Sequence, residues 1–146
     1  IPVQKSTSPK ERRMELPLPQ RATIRITDLR LRTIVGFNEW ERKEKQEVVI
    51  NASFDFNPSK AVQSDRVEDS VDYRQVKKRI IALVENSEFF LLEKLTHEVL
   101  KEVISEPGVL GATIRIDKPH ALRFAQSASV EMSLAPTLAI DSPRYV

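Results

Sequence analysis

"QEVVINASFDF", residues Gln46 to Phe56, alternates along its whole length. Val48, Ile50, Ala52, Phe54 and Phe56 fall on one side, and Val49, Asn51, Ser53 and Asp55 on the other. Successive side chains of a strand point to opposite faces. The stretch therefore predicts a strand with one apolar and one polar face, the pattern of an antiparallel sheet packed on one side and wet on the other. Working outward, three more segments read as strands. "ATIRITDLRLRTIVG" (22–36) is rich in β-branched residues and alternates early on. "GATIRID" (111–117) sets Ala112, Ile114 and Ile116 against Thr113, Arg115 and Asp117. "SASVEMSL" (127–134) sets Ala128, Val130, Met132 and Leu134 against Ser127, Ser129, Glu131 and Ser133.

Between the second and third strands the period lengthens. Val76, Ile80, Leu83 and Val84 mark one helix face, with Asp72 as cap and Gln75 as its capping-box partner. Leu91, Leu92, Leu95, Val99 and Val103 mark a second helix, closed by Pro107 and Gly108. The order ββααββ predicts an α+β fold, a four-stranded antiparallel sheet with two helices on one face. The other face, with Asn51, Ser53, Asp55, Arg115, Ser129 and Glu131, meets water. Two arrangements remain open on pattern alone. One is a monomeric sandwich, which a polar sheet face permits without any partner. The other is a ring of subunits that joins sheets into a wide barrel and removes their open edges.

The 146 residues suit one domain. Residues 1–21 hold Lys5, Lys10, Arg12, Arg13 and Arg21 against Glu11 and Glu15, a net of +3, while the whole chain is +2. The basic excess thus belongs to the tail, and the near-neutral body argues against nucleic acid as partner. That tail, with Pro2, Pro9, Pro17 and Pro19 and no periodicity, is expected to be disordered. Ile1 is not a natural start, so processing is expected, with Met14 a candidate native start. Residues 22–134 form the expected domain and 135–146 a second loose tail. No apolar run has the length of a membrane span, and no secretory segment is evident. With no cysteine, disulfides and thiolate chemistry are excluded, and a cytoplasmic setting fits.

His97 and His120 are the only histidines, too few for a zinc site of three or four protein ligands. Glu93 follows Leu91–Leu92 at the start of the second helix, where a carboxylate commonly just answers the helix dipole. It can also accept two parallel N–H bonds from a guanidine-like edge, such as that of a pterin or guanine. Tyr73, at the first helix entry, is either an amphipathic packing ring or a phenol that passes protons. Lys118 ends a strand. Most such lysines are solvated, whereas one in a pocket can serve as a general base. The segment "IDKPHALRFAQS" (116–127) is odd for a turn, since turns favour Gly, Asn, Asp and Ser.

With those residues in view, the chain resembles the dihydroneopterin aldolase family from roughly Ile24 to Leu134. The resemblance rests on Gly36 with Glu41 five residues on, Gln46, Tyr73 with Val76, the Leu92–Glu93 pair and Lys118, in that order. "LRLRTIVG", "DYRQVKKRIIALVEN", "LLEKLT" and "IDKPHALRFAQSASVEM" look like the triphosphate epimerase branch of that family. The resemblance implies a T-fold, with four subunits closing a barrel, two such rings making an octamer, and active sites at subunit interfaces. It implies metal-free, cofactor-free epimerisation at C2' of 7,8-dihydroneopterin triphosphate. It casts Lys118, Tyr73 and Glu41 as catalytic, with Tyr73 coming from the neighbouring subunit. Glu93, Leu92 and Val71 would hold the pterin, and neither nucleic acid nor membrane is a partner. His120 and Arg123 are expected to hold the triphosphate, whose charge needs cations and donors. Arg30 and Arg32 are further candidates for that role. Two alternatives accompany this reading: an aldolase releasing glycolaldehyde and 6-hydroxymethyl-7,8-dihydropterin, and a non-catalytic pterin-binding module.

Overall fold

The computed structural model describes residues 16–135. Of the tails expected at 1–21 and 135–146, residues 1–15 and 136–146 fall outside the described residues. Strand β1 (Ala22–Val35) is followed by a 3-10 turn at Glu39–Arg42 and strand β2 (Gln46–Phe56). A short helix α1 (Ser59–Ser64) and a 3-10 turn (Val67–Asp69) lead to helix α2 (Tyr73–Glu85). Then come β3 (Glu88–Phe89), helix α3 (Leu92–Ile104), β4 (Gly111–Pro119) and β5 (Ser127–Leu134). The sheet order is β3-β1-β2-β4-β5. All pairings are antiparallel except the short parallel one of β3 with β1, where Ile34 and Val35 face Glu88 and Phe89. The sheet thus has five strands rather than four, because a two-residue strand is too short to carry a period.

Burial follows the alternation of β2: Val48, Ile50, Ala52 and Phe54 are buried, and Asn51, Ser53 and Asp55 are half-buried on the other face. Val49 departs from the pattern. It is buried on the polar face, flanked across the ladders by Arg30 and Asp117. In β1 the alternation changes phase, with Ile24 and Ile26 facing inward before the break and Leu29, Leu31 and Thr33 after it. A bulge between Ile26 and Leu29 causes this, with Asp28 in the left-handed region at φ 54°. The Asp28 N–H donates to Asn51 Oδ1 at 2.9 Å, which holds the extra residue against β2.

Helix α2 starts as the sequence predicts. Asp72 caps it by accepting from the N–H groups of Arg74 and Gln75, although the Gln75 side chain does not return the bond. Val76, Ile80 and Val84 of α2 and Leu95, Val99, Leu100 and Val103 of α3 meet Ile50, Phe54, Ile114 and Ile116 of the sheet in one core. The polar face carries Arg115–Asp117 at 2.9 Å and Thr113–Ser133 at 2.8 Å. Arg21, just before β1, pairs with Asp55 at 2.8 Å. Among the described residues no helix is long and apolar enough to cross a membrane.

Candidate active site

At the far end of β4 the strand period turns Lys118 to the same side as Ile116 and Ile114, toward the helices. There its ammonium bonds the Glu41 carboxylate, and both side chains are largely shielded from water. Glu41 sits in the 3-10 turn after β1, where Gly36 lets the chain leave the strand at φ 127°. A Cβ on Gly36 would stand 2.2 Å from the Glu41 carboxyl carbon, so glycine is needed for space as well as conformation. Gln46 Nε2 donates to the same Glu41 oxygen at 3.1 Å and to the Val35 carbonyl at 3.0 Å. The Asn38 N–H donates to the other oxygen at 3.1 Å. Burial pushes the Glu41 carboxyl up. The hydrogen bonds from Lys118, Gln46 and Asn38, with the Lys118 charge, outweigh burial and hold it below the usual carboxylate range. The result is a fixed, ionised carboxylate paired with a cation at the rim of the core.

The same loop is tied to its neighbour by Arg42. Its Nη1 donates to the carbonyls of Gly36 at 2.9 Å and Phe89 at 3.1 Å, and its Nη2 to that of Glu88 at 2.6 Å. Its guanidinium lies 4.0 Å from the centre of the Phe90 ring. The Gly36 N–H adds a bond to the Phe89 carbonyl at 3.2 Å. Phe90 and Leu91 then lead into α3, whose first turn carries Glu93, exposed and without an ion-pair partner among the described residues. Sequence reasoning missed Arg42. Within "NEWERKEKQE" it reads as one charge in a solvated run, and no local pattern marks it.

The other expected residues are spread out. Leu92 is half-buried against the core and Val71 lies within it, so their side chains pack inward. Tyr73 is half-exposed, and its hydroxyl has no hydrogen-bond partner among the described residues. It lines a cleft with Val67, Ser70, Val71, Asp72 and Arg74, a set that includes neither Glu41 nor Lys118. His120 and Arg123 lie on the exposed turn after β4, which His120 and Phe124 close with φ of 62° and 68°. His120 borders an open cleft of about 440 Å³ on the polar sheet face, with Arg30, Asn51, Arg115 and Asp117 among its walls. Arg123 lies 5.3 Å from the centre of the Phe124 ring, which is fully exposed. Arg30 faces Glu47 at 3.6 Å and Arg32 donates to the Lys45 carbonyl at 2.9 Å, both on the exposed strand surface. Among the described residues no cluster of three metal-type ligands occurs.

The chain is 44% identical over 115 residues to the dihydroneopterin triphosphate 2'-epimerase of Pseudomonas aeruginosa, covering 79% of this chain and 94% of that one. It is 46% identical over 112 residues to the Escherichia coli protein of the same name, covering 77% and 93%. The dihydroneopterin aldolase of Haemophilus influenzae is 29% identical over 105 residues, covering 72% and 89%. Among solved structures, FolB of Vibrio cholerae superposes with a TM-score of 0.75 at 28% identity, covering 82% of this chain and 99% of that one. Escherichia coli dihydroneopterin aldolase in complex with neopterin also gives 0.75, at 24% identity over 78% of this chain and 99% of that one, a likeness of fold. The fold is that of the T-fold protomer, and the family described as FolB, dihydroneopterin aldolase, matches residues 24–133, so the chain belongs to the dihydroneopterin aldolase family.

Proposed function

We propose that the protein is an isomerase that converts 7,8-dihydroneopterin triphosphate to its C2' epimer, the dihydromonapterin form, by retro-aldol cleavage and re-addition. The observation that carries the reading is the shielded Lys118–Glu41 pair, a proton-transfer unit that the strand end and Gly36 hold in one geometry. The two relatives at 44% and 46% identity bear the epimerase name, which supports the choice of reaction.

The steps balance without any co-reactant. A base takes the 2'-hydroxyl proton. The C1'–C2' bond breaks, and its electron pair passes into the dihydropterin C=N bond. The released aldehyde turns its other face, C1' adds back, and the proton returns to oxygen. Lys118 assists proton transfer and stabilises the developing oxyanion through bound water. Glu41 orients Lys118 and relays protons. Glu93, exposed on α3 and without an ion-pair partner among the described residues, accepts the two N–H bonds of the pterin edge, with Leu92 next to it and Val71 brought, together with Tyr73, by a second copy. Tyr73 handles the proton of the 1'-hydroxyl and so keeps C1' aligned for re-addition, since protonation of C1' itself would give the aldolase product. Tyr73 lines a different cleft from Lys118 within one chain, which supports its coming from a second copy and a homo-oligomer with shared sites. His120 and Arg123, beyond Lys118 on the exposed turn, receive the triphosphate. A cytoplasmic location accords with such a substrate.

A product assay tests this on 7,8-dihydroneopterin and its triphosphate, with chromatographic separation of the erythro and threo epimers. Fast epimerisation of the triphosphate with little glycolaldehyde is the expected result. The family description and the Haemophilus influenzae relative favour an aldolase as second reading. Fast cleavage of the unphosphorylated substrate would select it, and binding without turnover would leave only a pterin-binding module.

A further inference from the structure

We propose that Arg42 is a positioning residue that couples the two halves of the site. It locks the loop carrying Glu41 to the corner that leads to Glu93. The inference rests on the reading of Glu41, Lys118 and Glu93 given above and goes beyond it, since Arg42 touches none of the three carboxylate and ammonium groups. Its partners are all backbone carbonyls and one ring: Gly36, Glu88 and Phe89 through three hydrogen bonds, and Phe90 by stacking. No carboxylate lies within ion-pair distance of it among the described residues. A guanidinium with no acidic partner, spent on three carbonyls of two segments, acts as a staple.

What it staples matters at both ends. Gly36 is the residue whose α-carbon stands against the Glu41 carboxylate. Fixing the Gly36 carbonyl fixes the wall that aims Glu41 at Lys118. Glu88, Phe89 and Phe90 are the last residues before the Leu91 cap of α3. Fixing the Glu88 and Phe89 carbonyls and the Phe90 ring sets the entry angle of that helix, and so where Glu93 stands relative to Lys118. The parallel pairing of β3 with β1 spans only two residues, too little to hold this corner by itself. The planar fork of arginine reaches carbonyls on both segments and stacks on the ring together. A lysine supplies one point charge and cannot do all of it. Misplacing a reacting group by about 1 Å can cost about 100-fold in rate.

Arg42→Lys and Arg42→Ala should be compared with the wild type and with Glu93→Ala. The readouts are thermal melting, neopterin affinity by fluorescence, kcat and KM on the triphosphate, and backbone hydrogen exchange. Arg42→Lys is expected to melt close to the wild type yet lose at least about 10-fold in kcat/KM, chiefly through kcat. Exchange should rise together at Gly36–Asn38 and at Phe89–Leu92. Arg42→Ala should show the same pattern, enlarged. Wild-type kinetics in both variants, or a loss that merely tracks the unfolded fraction, overturns the proposal. So does unchanged exchange at Phe89–Leu92, whatever the substrate proves to be. If Glu93→Ala binds neopterin as the wild type does, the site reading fails instead, and the exchange pattern still decides whether Arg42 couples the two segments.

Discussion

Glu41 is held from three sides, and that has a consequence for acid stability. In the unfolded chain it takes up a proton near the ordinary glutamate value of 4.5, and in the fold only at lower pH. Its contribution is therefore fully present above that ordinary value and is lost as pH falls through the depressed folded value. Urea midpoints followed from about pH 6 to about pH 3 should drop steeply, and Glu41→Gln should flatten that limb. Lys118→Ala should lower turnover by about 100-fold or more, as expected for loss of a general acid–base group, with a smaller change in neopterin affinity. Stopped-flow turnover beside fluorescence binding separates the two effects. If Glu93 holds the pterin edge as proposed, Glu93→Ala should mainly destroy pterin affinity, because two charge-assisted bonds of roughly 1.5–3 kcal/mol each go at once. Isothermal titration with neopterin reads that loss. At this scale the sequence carried less than the fold required. Glu41 and Lys118 stand 77 residues apart, and nothing local in either segment points to the other. The roles proposed for them rest on the family resemblance, which does not mark Arg42.

Elements were more legible, for a physical reason. A strand of eleven residues or a helix of thirteen repeats its burial pattern often enough to be read, as in β2, α2 and α3. The bulge in β1 is not among the features read from the sequence, where the segment shows only an early alternation; in the structure the inward positions pass from even to odd numbers at Asp28. What escaped were β3, with two residues, and α1, with six and no buried side chain, because neither has a face to repeat. The loop between β1 and β2 offers an element-scale test. Gly36→Ala would place a methyl 2.4 Å from both Glu41 carboxylate oxygens, in backbone geometry that alanine resists. Melting temperature and turnover should both fall, whereas Asp72→Ala should cost only about 1 kcal/mol of stability through the lost cap of α2.

For the molecule as a whole, β5 is the exposed side of the sheet, with Val130 and Met132 only half-buried and Leu134 exposed. Light scattering should report a multimer, and mixing a Tyr73→Phe chain with a Lys118→Ala chain should restore part of the turnover that each lacks alone. No recovery on mixing would confine each site to one chain. The centre of the sheet is where β2 meets β4, with Val49 opposite Asp117, and all three helices lie between them in sequence. Contacts of such separation form late, after the loop-closure entropy has been met. The helices can gain their hydrogen bonds before that ladder exists, whereas Lys118 reaches Glu41 only after it has zipped. On refolding, far-ultraviolet ellipticity should thus recover ahead of enzymatic turnover. A newly made chain would then pass through a helical but inert stage, its sheet edges bare, when it is most vulnerable to aggregation.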